Sequence, residues 1–234
     1  MPRMTPSEAF VETMAAHGVT DIFGIMGSAF MDAMDIFEPA GIRFIPVVHE
    51  QGAAHMADGF SRVSGRQGVC IGQNGPGISN CVTGIAAAFW AHSPVVIITP
   101  ETGTMGIGLG GFQEANQLPM FQEFTKYQVH LNNPNRMAEF TARCFDRALS
   151  EMGPTQINIP RDFFYGDIDD SRHHLGCGQK HRGGGALPSS QAPGSLGGPV
   201  QTTKHGAKQC GDQRWWRDWP LHRATGPSGR RPSP

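Results

Sequence analysis

The chain has 234 residues, and its 19 Lys and Arg side chains nearly balance its 20 Asp and Glu, for a formal net charge of -1. The balance conceals a split, because residues 1–170 carry 9 basic and 18 acidic side chains, whereas residues 171–234 carry 10 and 2. No apolar run reaches the roughly 18 residues of a membrane helix, and the 5 cysteines form no CxxC pair. These features argue against a membrane protein, a disulfide framework and a zinc module, and they predict a cytoplasmic protein with no membrane partner.

The first hundred residues alternate between helical and apolar segments. Thr5-Pro6-Ser7-Glu8 is a capping box with Pro at the first helical position, and it predicts a helix that ends at Gly18. Further helical segments are predicted around residues 30–37, 51–63 and 78–90. Short apolar runs predict strands at residues 21–25, 43–48, 68–72 and 94–99. Since Pro46 lacks a ladder donor, it is expected at a bulge, a strand end or an edge.

The following seventy residues continue the alternation after one long loop. Residues 101–111 are glycine-rich and irregular, and Gly106 to Gly111 formally satisfy GxGxxG, but no helix opens there directly after a strand, so a mobile loop is predicted. A fifth strand is predicted at 127–131, a helix after Asn133-Pro134, and a sixth strand at 155–159. The pattern predicts an α/β fold with a mostly parallel six-stranded sheet flanked by helices.

The polar and glycine-rich segments of this fold are expected on one rim of the sheet. Ligands approach parallel sheets at the carboxyl ends of their strands, where the sequence places Gly27-Ser28, Glu50, residues 73–77 and the loop from residue 101. Taken alone, Glu50 is also explained as an acid favoured by a helix N-terminus. A zinc hydrolase is rejected, because His49 and His55 would lie about 240° apart around a helix.

Several motifs carry a resemblance to a known family. The string HEQGAAHMADGFSR, followed by GPGISN, resembles the pyrimidine-binding domain of thiamine-diphosphate-dependent enzymes of the acetolactate synthase and pyruvate oxidase type. Within that family, GIMGSAFMDAMDIF, GQNGPGISN, GLGGFQEANQ and GPTQINIPRDFFY resemble the sulfoacetaldehyde acetyltransferases of sulfonate metabolism. The resemblance covers residues 4–168 and implies thiamine diphosphate as cofactor and phosphate-dependent cleavage of sulfoacetaldehyde to acetyl phosphate and sulfite. An acetolactate synthase-like lyase is the alternative.

The resemblance also implies the roles of individual residues. Glu50 matches the catalytic carboxylate that hydrogen-bonds the far ring nitrogen of the cofactor's aminopyrimidine, so that this group becomes basic enough to remove the thiazolium proton. Gln113 matches a loop on the substrate side. No metal ligand is assigned. The cofactor-binding residues implied are Gly27, Ser28, Glu50, Pro76 and Asn80.

The resemblance implies a pyrimidine-binding domain over residues 1–168, and the composition then changes to that of a low-complexity basic tail, residues 169–234. All 14 Phe and all 11 Met lie before residue 171, so the tail cannot bury enough apolar surface to fold and is predicted to be disordered. Its Gly, Pro, Arg and Trp are typical of a GC-rich gene read out of frame, and we predict a frameshift there. A basic arm whose Trp215, Trp216 and Trp219 stack on nucleic-acid bases is the rival interpretation. Because the basic residues are scattered, no nucleic-acid partner is predicted.

The resemblance further implies a Mg²⁺ and diphosphate site in a second domain, built on a Gly-Asp-Gly stretch and a later Asn. The tail offers only Gly211-Asp212-Gln213, and the last Asn of the sequence is Asn158. We therefore predict that this polypeptide alone is inactive as an enzyme. In the family this domain meets a partner subunit, which implies a homo-oligomer. A non-catalytic oligomerisation module is the second hypothesis.

Overall fold

The computed structural model describes residues 3–169, and what the sequence predicts for residues 170–234 lies outside them. None of the helices described is long and apolar enough to cross a membrane. The strands are β1 (Arg3–Met4), β2 (Asp21–Gly24), β3 (Arg43–Pro46), β4 (Gly68–Ile71), β5 (Val95–Glu101), β6 (Tyr127–His130), β7 (Thr155–Pro160) and β8 (Ile168–Asp169). The α-helices are α1 (Pro6–Ala16), α2 (Met31–Met34), α3 (Glu50–Ser64), α4 (Pro76–Asn80), α5 (Val82–Trp90), α6 (Leu118–Phe121) and α7 (Met137–Ser150).

Six of these strands form one parallel sheet in the order β3-β2-β4-β5-β7-β6, which confirms the predicted α/β fold. Pro46 is the last residue of the edge strand β3, where its missing N–H costs no ladder bond. The sequence did not predict the antiparallel pair in which Met4 of β1 lies opposite Ile168 of β8. Strands of two residues have no periodicity to detect, and β8 extends one residue beyond the predicted boundary at 168.

The core lies on both faces of the sheet. Side chains of a strand alternate between faces, so Val96 and Ile98 of β5 pack with α1 and α7, whereas Val95 and Ile97 pack with α3 and α5. All four side chains are fully buried. This burial explains why the β5 sequence is almost continuously apolar. Cys70, Cys81 and Cys144 are free and buried, and burial raises the pKa of the Cys144 thiol to about 12.

Three helical segments differ from the prediction. The segment around residues 30–37 forms only the short α2, because the N–H groups of Ile36 and Phe37 bond to the third residue back instead of the fourth. The helix predicted over 78–90 starts earlier, at Pro76, and divides at Cys81 into α4 and α5. The helix α6 was not predicted, because its four residues are too few to show helical periodicity.

Two glycines allow α3 to lie close to its neighbours. A Cβ on Gly68 of β4 would be 2.0 Å from the carbonyl oxygen of Ala57, and a Cβ on Gly84 of α5 would be 2.4 Å from the Cβ of Ala54. Larger side chains at either position would push the helix away. The position of Glu50, the first residue of α3, is therefore set by close backbone packing along the whole helix.

Candidate functional site

The candidate site lies where the parallel strands end and begins with Glu50. His49 is the N-cap of α3, and its Nδ1 accepts a hydrogen bond from the Gln51 N–H at 3.2 Å. Glu50 follows as the first helical residue, a position at which the helix dipole favours a carboxylate. Although it is charged, Glu50 is only 8% exposed. A carboxylate so deeply buried requires partners or a ligand.

One oxygen of Glu50 has a protein partner and the other has none among the described residues. Asn80 Nδ2 donates to Glu50 Oε2 at 2.9 Å. A Cβ on Gly77 would lie 2.8 Å from Oε1, and one on Gly72 would lie 3.2 Å from Glu50 Cγ. Within residues 3–169, no cationic side chain forms an ion pair with this carboxylate. Oε1 is thus a negative hydrogen-bond acceptor left free for a donor from a ligand.

Gln73 joins the glycine-rich turn to the loop after β2. Its Nε2 donates to Ser28 Oγ at 3.4 Å, and its Oε1 accepts from the Ala29 N–H at 3.4 Å. A Cβ on Gly27 would lie only 2.2 Å from Gln73 Oε1, so glycine is required for this approach. The structure therefore brings Gly27 and Ser28 beside the turn that precedes α4, the helix that ends at Asn80.

Asn74 joins the same turn to the loop that holds Gln113. Its Nδ2 donates to the Phe112 carbonyl at 2.9 Å and to the Gln113 carbonyl at 3.2 Å. A Cβ on Gly75 would lie 2.4 Å from the Gln113 carbonyl oxygen. Gln113 has a left-handed backbone, with φ of 55°, and its buried Oε1 has no hydrogen-bond partner. Pro76 is the exposed first residue of α4.

The residues named from the sequence thus occupy one rim, but they do not form one contact network. Glu50 contacts Asn80, while Gly27, Ser28 and Gln113 are linked through Gln73 and Asn74. These two amides were not assigned a role from the sequence. The sequence did contain one indication of their role. Both residues lie between the end of a strand and Gly75, at the rim where the loops of the site meet.

A second polar network, also missed from the sequence, lies at the ends of β5, β6 and β7. Glu101 Oε2 contacts His130 Nε2 at 2.7 Å and accepts from Asn158 Nδ2 at 2.7 Å. Thr99 Oγ1 donates to Asn158 Oδ1 at 2.9 Å, and Gln117 Nε2 lies 3.3 Å from the same oxygen. The hydrogen bond to Glu101 raises the pKa of His130 above its usual 6.5, against the opposing effect of burial.

A cavity of about 160 Å³ opens between the two parts of the rim. The parts of the rim meet there because Glu101 pairs with Pro160 across β5 and β7, which places Arg161 next to Glu101. Within residues 3–169, no group of three His, Cys, Asp or Glu side chains is arranged to hold a metal ion. The main side chains that line the cavity are Ser28, Gln73, Asn74, Glu101, Phe112 and Arg161.

The hydrogen-bonding groups at Glu50 fit the pyrimidine part of thiamine diphosphate. A protonated ring nitrogen is a directional donor, and the free, largely buried Glu50 Oε1 is a charged acceptor of the kind that binds such a donor strongly. Gly72 and Gly77 themselves place no side chain against the carboxylate. The Gly27-Ser28 loop lies at the same rim and is joined to the glycine-rich turn by Gln73.

Comparisons with known proteins agree with this fit. Residues 4–120 match the family model for "Thiamine pyrophosphate enzyme, N-terminal TPP binding domain". Over 167 residues the chain is 84% identical to sulfoacetaldehyde acetyltransferase of Alcaligenes xylosoxydans xylosoxydans, a match that covers 71% of this chain and 28% of that protein. The corresponding enzyme of Rhodobacter capsulatus is 46% identical with the same coverage.

A more distant relative belongs to a neighbouring enzyme class. The probable acetolactate synthase large subunit of Methanocaldococcus jannaschii is 38% identical over 173 residues, which cover 74% of this chain and 29% of that subunit. The chain therefore spans less than a third of the length of the curated relatives it matches. Thiamine diphosphate is the cofactor that both the family match and the geometry of Glu50 imply. The chain belongs to the thiamine pyrophosphate enzyme family and corresponds to its N-terminal TPP binding domain.

Proposed function

We propose that residues 3–169 form the pyrimidine side of the thiamine diphosphate site in an acetyltransferase that cleaves sulfoacetaldehyde with phosphate, yielding acetyl phosphate and sulfite. The observation that carries the proposal is Glu50, which is 8% exposed, held by Asn80 through one oxygen and free at the other. Identity of 84% to a sulfoacetaldehyde acetyltransferase, against 38% to a probable acetolactate synthase subunit, supports the substrate.

Glu50 is the proposed catalytic residue. Thiamine diphosphate supplies carbanion chemistry when it is bound. Glu50 Oε1 would accept a hydrogen bond from the pyrimidine ring nitrogen and so would hold a proton at that atom. Asn80 fixes the carboxylate by its bond to Oε2. Because most of the Glu50 side chain is buried, few water molecules can compete for this acceptor, which strengthens the hydrogen bond.

The neighbouring loops take supporting roles in the proposal. Backbone groups at Gly27 and Ser28 would contact the pyrimidine side of the cofactor, and Pro76 and Asn80 would border it from α4. Gln113 reaches the substrate side. Its strained backbone and its unpartnered buried Oε1 support this role, since such features are common where a ligand completes the structure.

We also propose that the protein assembles as a homo-oligomer through this rim. The loop between β5 and α6 exposes several large apolar side chains beside the cavity, and exposed apolar patches of this kind are typical of interfaces. Sedimentation velocity of the 234-residue chain tests this. A monomer at all concentrations would contradict it. The apolar side chains and their exposed fractions are Met105 89%, Leu109 81% and Phe112 75%.

A cytoplasmic location is part of the proposal. The three cysteines in the described part of the chain are free thiols. Such thiols are in keeping with a reducing compartment, where disulfides seldom persist. Fractionation of the cells that produce the protein would test this, and recovery outside the cytoplasm would contradict it.

A chimera tests the proposed activity. The 167 matched residues of the Alcaligenes enzyme are replaced by those of this chain, and sulfite release from sulfoacetaldehyde and phosphate is measured. We expect an active chimera, whose turnover falls about 10²-fold or more in Glu50→Gln because the proton at the ring nitrogen loses its charged acceptor. A chimera that folds and binds cofactor but releases no sulfite would contradict the proposed activity. The 234-residue chain alone is expected to be inactive, so turnover by it would contradict the sequence prediction.

A further inference from the structure

The structure leaves a guanidinium group at the cavity between the two parts of the rim. We infer that Arg161 and this cavity bind a tetrahedral oxyanion, the sulfonate of the substrate or the phosphate that reacts with it. The inference deepens the proposed function and rests on it for the identity of the reactants. The 160 Å³ volume and the lining of the cavity carry the argument together with the contacts of Arg161.

The backbone that carries Arg161 is fixed on both sides. Arg161 directly follows Pro160 of β7, which lies opposite Glu101 of β5 in the sheet. The next residue, Asp162, accepts hydrogen bonds from the N–H of Thr104, at 2.9 Å, and from its hydroxyl group. Residues Arg161–Phe164 form a 3₁₀ turn, and at its end the Phe164 carbonyl accepts from Ser7 Oγ at 2.8 Å. The arginine therefore projects from an anchored turn.

The guanidinium group itself is largely unused. Its Nε donates to the Tyr165 hydroxyl at 3.3 Å, and no carboxylate of residues 3–169 forms an ion pair with it. Four of its five N–H donors remain available. Five other arginines in the described part of the chain do form ion pairs with carboxylates, namely Arg43, Arg62, Arg136, Arg143 and Arg147.

The carboxylate in the same cavity does not compete for Arg161. Glu101 Oε2 is bound by His130 and Asn158, each at 2.7 Å. Protonation of His130 compensates the negative charge of Glu101, and the raised pKa of His130 extends that compensation toward higher pH. The remaining lining includes the Ser28 hydroxyl and the Gln73 amide, which are neutral. Among the described residues, Arg161 is thus the cation in this cavity that has no carboxylate partner, and its guanidinium group favours an anion.

The location suits a substrate anchored at one end. Gln73 lines the cavity and also contacts the Gly27-Ser28 loop, which we place against the pyrimidine. A two-carbon sulfonate held by Arg161 would direct its other end toward the cofactor side of the rim. Guanidinium groups bind sulfonate and phosphate oxygens through parallel N–H donors, and this geometry gives orientation as well as affinity.

The test uses the 234-residue chain and two separate probes, 2-hydroxyethanesulfonate and inorganic phosphate. Binding is followed by NMR through the side-chain amide signals of Gln73 and Asn74, both of which line the cavity. We expect Arg161→Gln to weaken binding about tenfold or more and Arg161→Lys to weaken it less. Arg66→Gln is the matched control, because Arg66 is exposed, stacks over Phe60 and lies at the opposite rim. The Arg66→Gln chain should bind both probes as tightly as the unmodified chain does.

Each outcome decides a separate point. Tighter binding of the sulfonate assigns the cavity to the substrate, and tighter binding of phosphate assigns it to the co-reactant. Equal affinity in Arg161→Gln and the unmodified chain, or no shift of the two amides with either probe, would overturn the inference. Neither result depends on Glu50 or on bound cofactor, so the proposed function stands or falls separately, by the Glu50→Gln chimera.

Discussion

Two carboxylates, Glu50 and Glu101, lie at the same rim of the sheet and differ in their hydrogen-bond partners. Glu101, at the end of β5, is bound through one oxygen by both His130 and Asn158. Glu50, at the start of α3, receives only the Asn80 amide and has no cationic partner in the described part of the chain. Both are largely buried. Glu101 is thus compensated within the protein, whereas Glu50 lacks such compensation.

The difference indicates which carboxylate is available for chemistry. A buried charge is costly unless it is paired or bound to a ligand. Glu101 meets this condition with its own neighbours and ties three strand ends together, which is a structural role. Glu50 meets it only partly, so the missing donor is expected from the cofactor. Both carboxylates are largely buried and both lie at the rim, so neither property distinguishes them. The number of hydrogen-bond partners does distinguish the structural Glu101 from the proposed catalytic Glu50.

The largest expected loss of stability comes from disturbing the packing of α3, the helix that carries Glu50, at a position far from Glu101. In Gly68→Ala the new Cβ would lie 2.0 Å from the Ala57 carbonyl oxygen, so α3 must move. We expect the free energy of unfolding to fall by about 2–3 kcal/mol, measured by urea denaturation. Gly59→Ala is the control, because that helical position has no atom within 4 Å. It should stabilise the protein by about 0.5–1 kcal/mol. Equal effects of both substitutions would contradict the packing of α3.

The second prediction compares the two amides that contact the carboxylates. Asn158 is 2% exposed, and Asn158→Ala removes the hydrogen bonds that its buried amide makes with Glu101, Thr99 and Gln117. We expect a loss of about 1–3 kcal/mol in the free energy of unfolding, measured by urea denaturation. A change below about 0.5 kcal/mol would contradict the structural role of the Glu101 network.

The matching change at the other carboxylate is Asn80→Ala. Asn80 is exposed but donates to the largely buried Glu50, so we expect the substitution to lower the free energy of unfolding by about 0.5–1 kcal/mol, less than Asn158→Ala does. It removes the one donor that the described residues offer to the Glu50 carboxylate, and we expect the chimera to bind thiamine diphosphate about tenfold more weakly, by calorimetry. Unchanged affinity, or a stability loss equal to that of Asn158→Ala, would contradict the distinction between the two sites.

The smallest effect concerns pH and the Glu101 side alone. The pKa of His130 is raised by its hydrogen bond to Glu101. Its contribution to stability is therefore fully present below its usual pKa of 6.5 and is lost as pH rises through the raised value. We expect the stability difference between the protein and His130→Gln to be larger at about pH 6 than at about pH 9. A difference that does not change with pH would contradict the proposed pairing.

The sequence was sufficient to predict the sheet because each strand of the large sheet is marked by apolar residues between turn signals. The run PVVIIT shows this most clearly, since both faces of β5 are covered. The position of Glu50 followed from the same pattern. Its role was implied by family motifs rather than by spacing.

The rest of the site depends on contacts that join distant parts of the chain. His130 and Glu101 are 29 residues apart and meet only because β6 and β5 flank β7. Arg161 reaches the cavity because Pro160 lies opposite Glu101. Neither pairing leaves a local pattern. Gln73 and Asn74 lie inside a recognised motif, but their roles as bridges between loops are visible only in the fold.

The affinity of the chimera for an altered cofactor tests the central claim most directly. The probe is a thiamine diphosphate analogue in which the pyrimidine ring nitrogen facing Glu50 is replaced by C–H. Calorimetry should show that the unmodified chimera prefers the natural cofactor by about tenfold or more, because the analogue offers Glu50 no donor. Glu101→Gln should keep this preference, and Glu50→Gln should lose it. A Glu50→Gln chimera that discriminates as well as the unmodified one would contradict the assignment of Glu50.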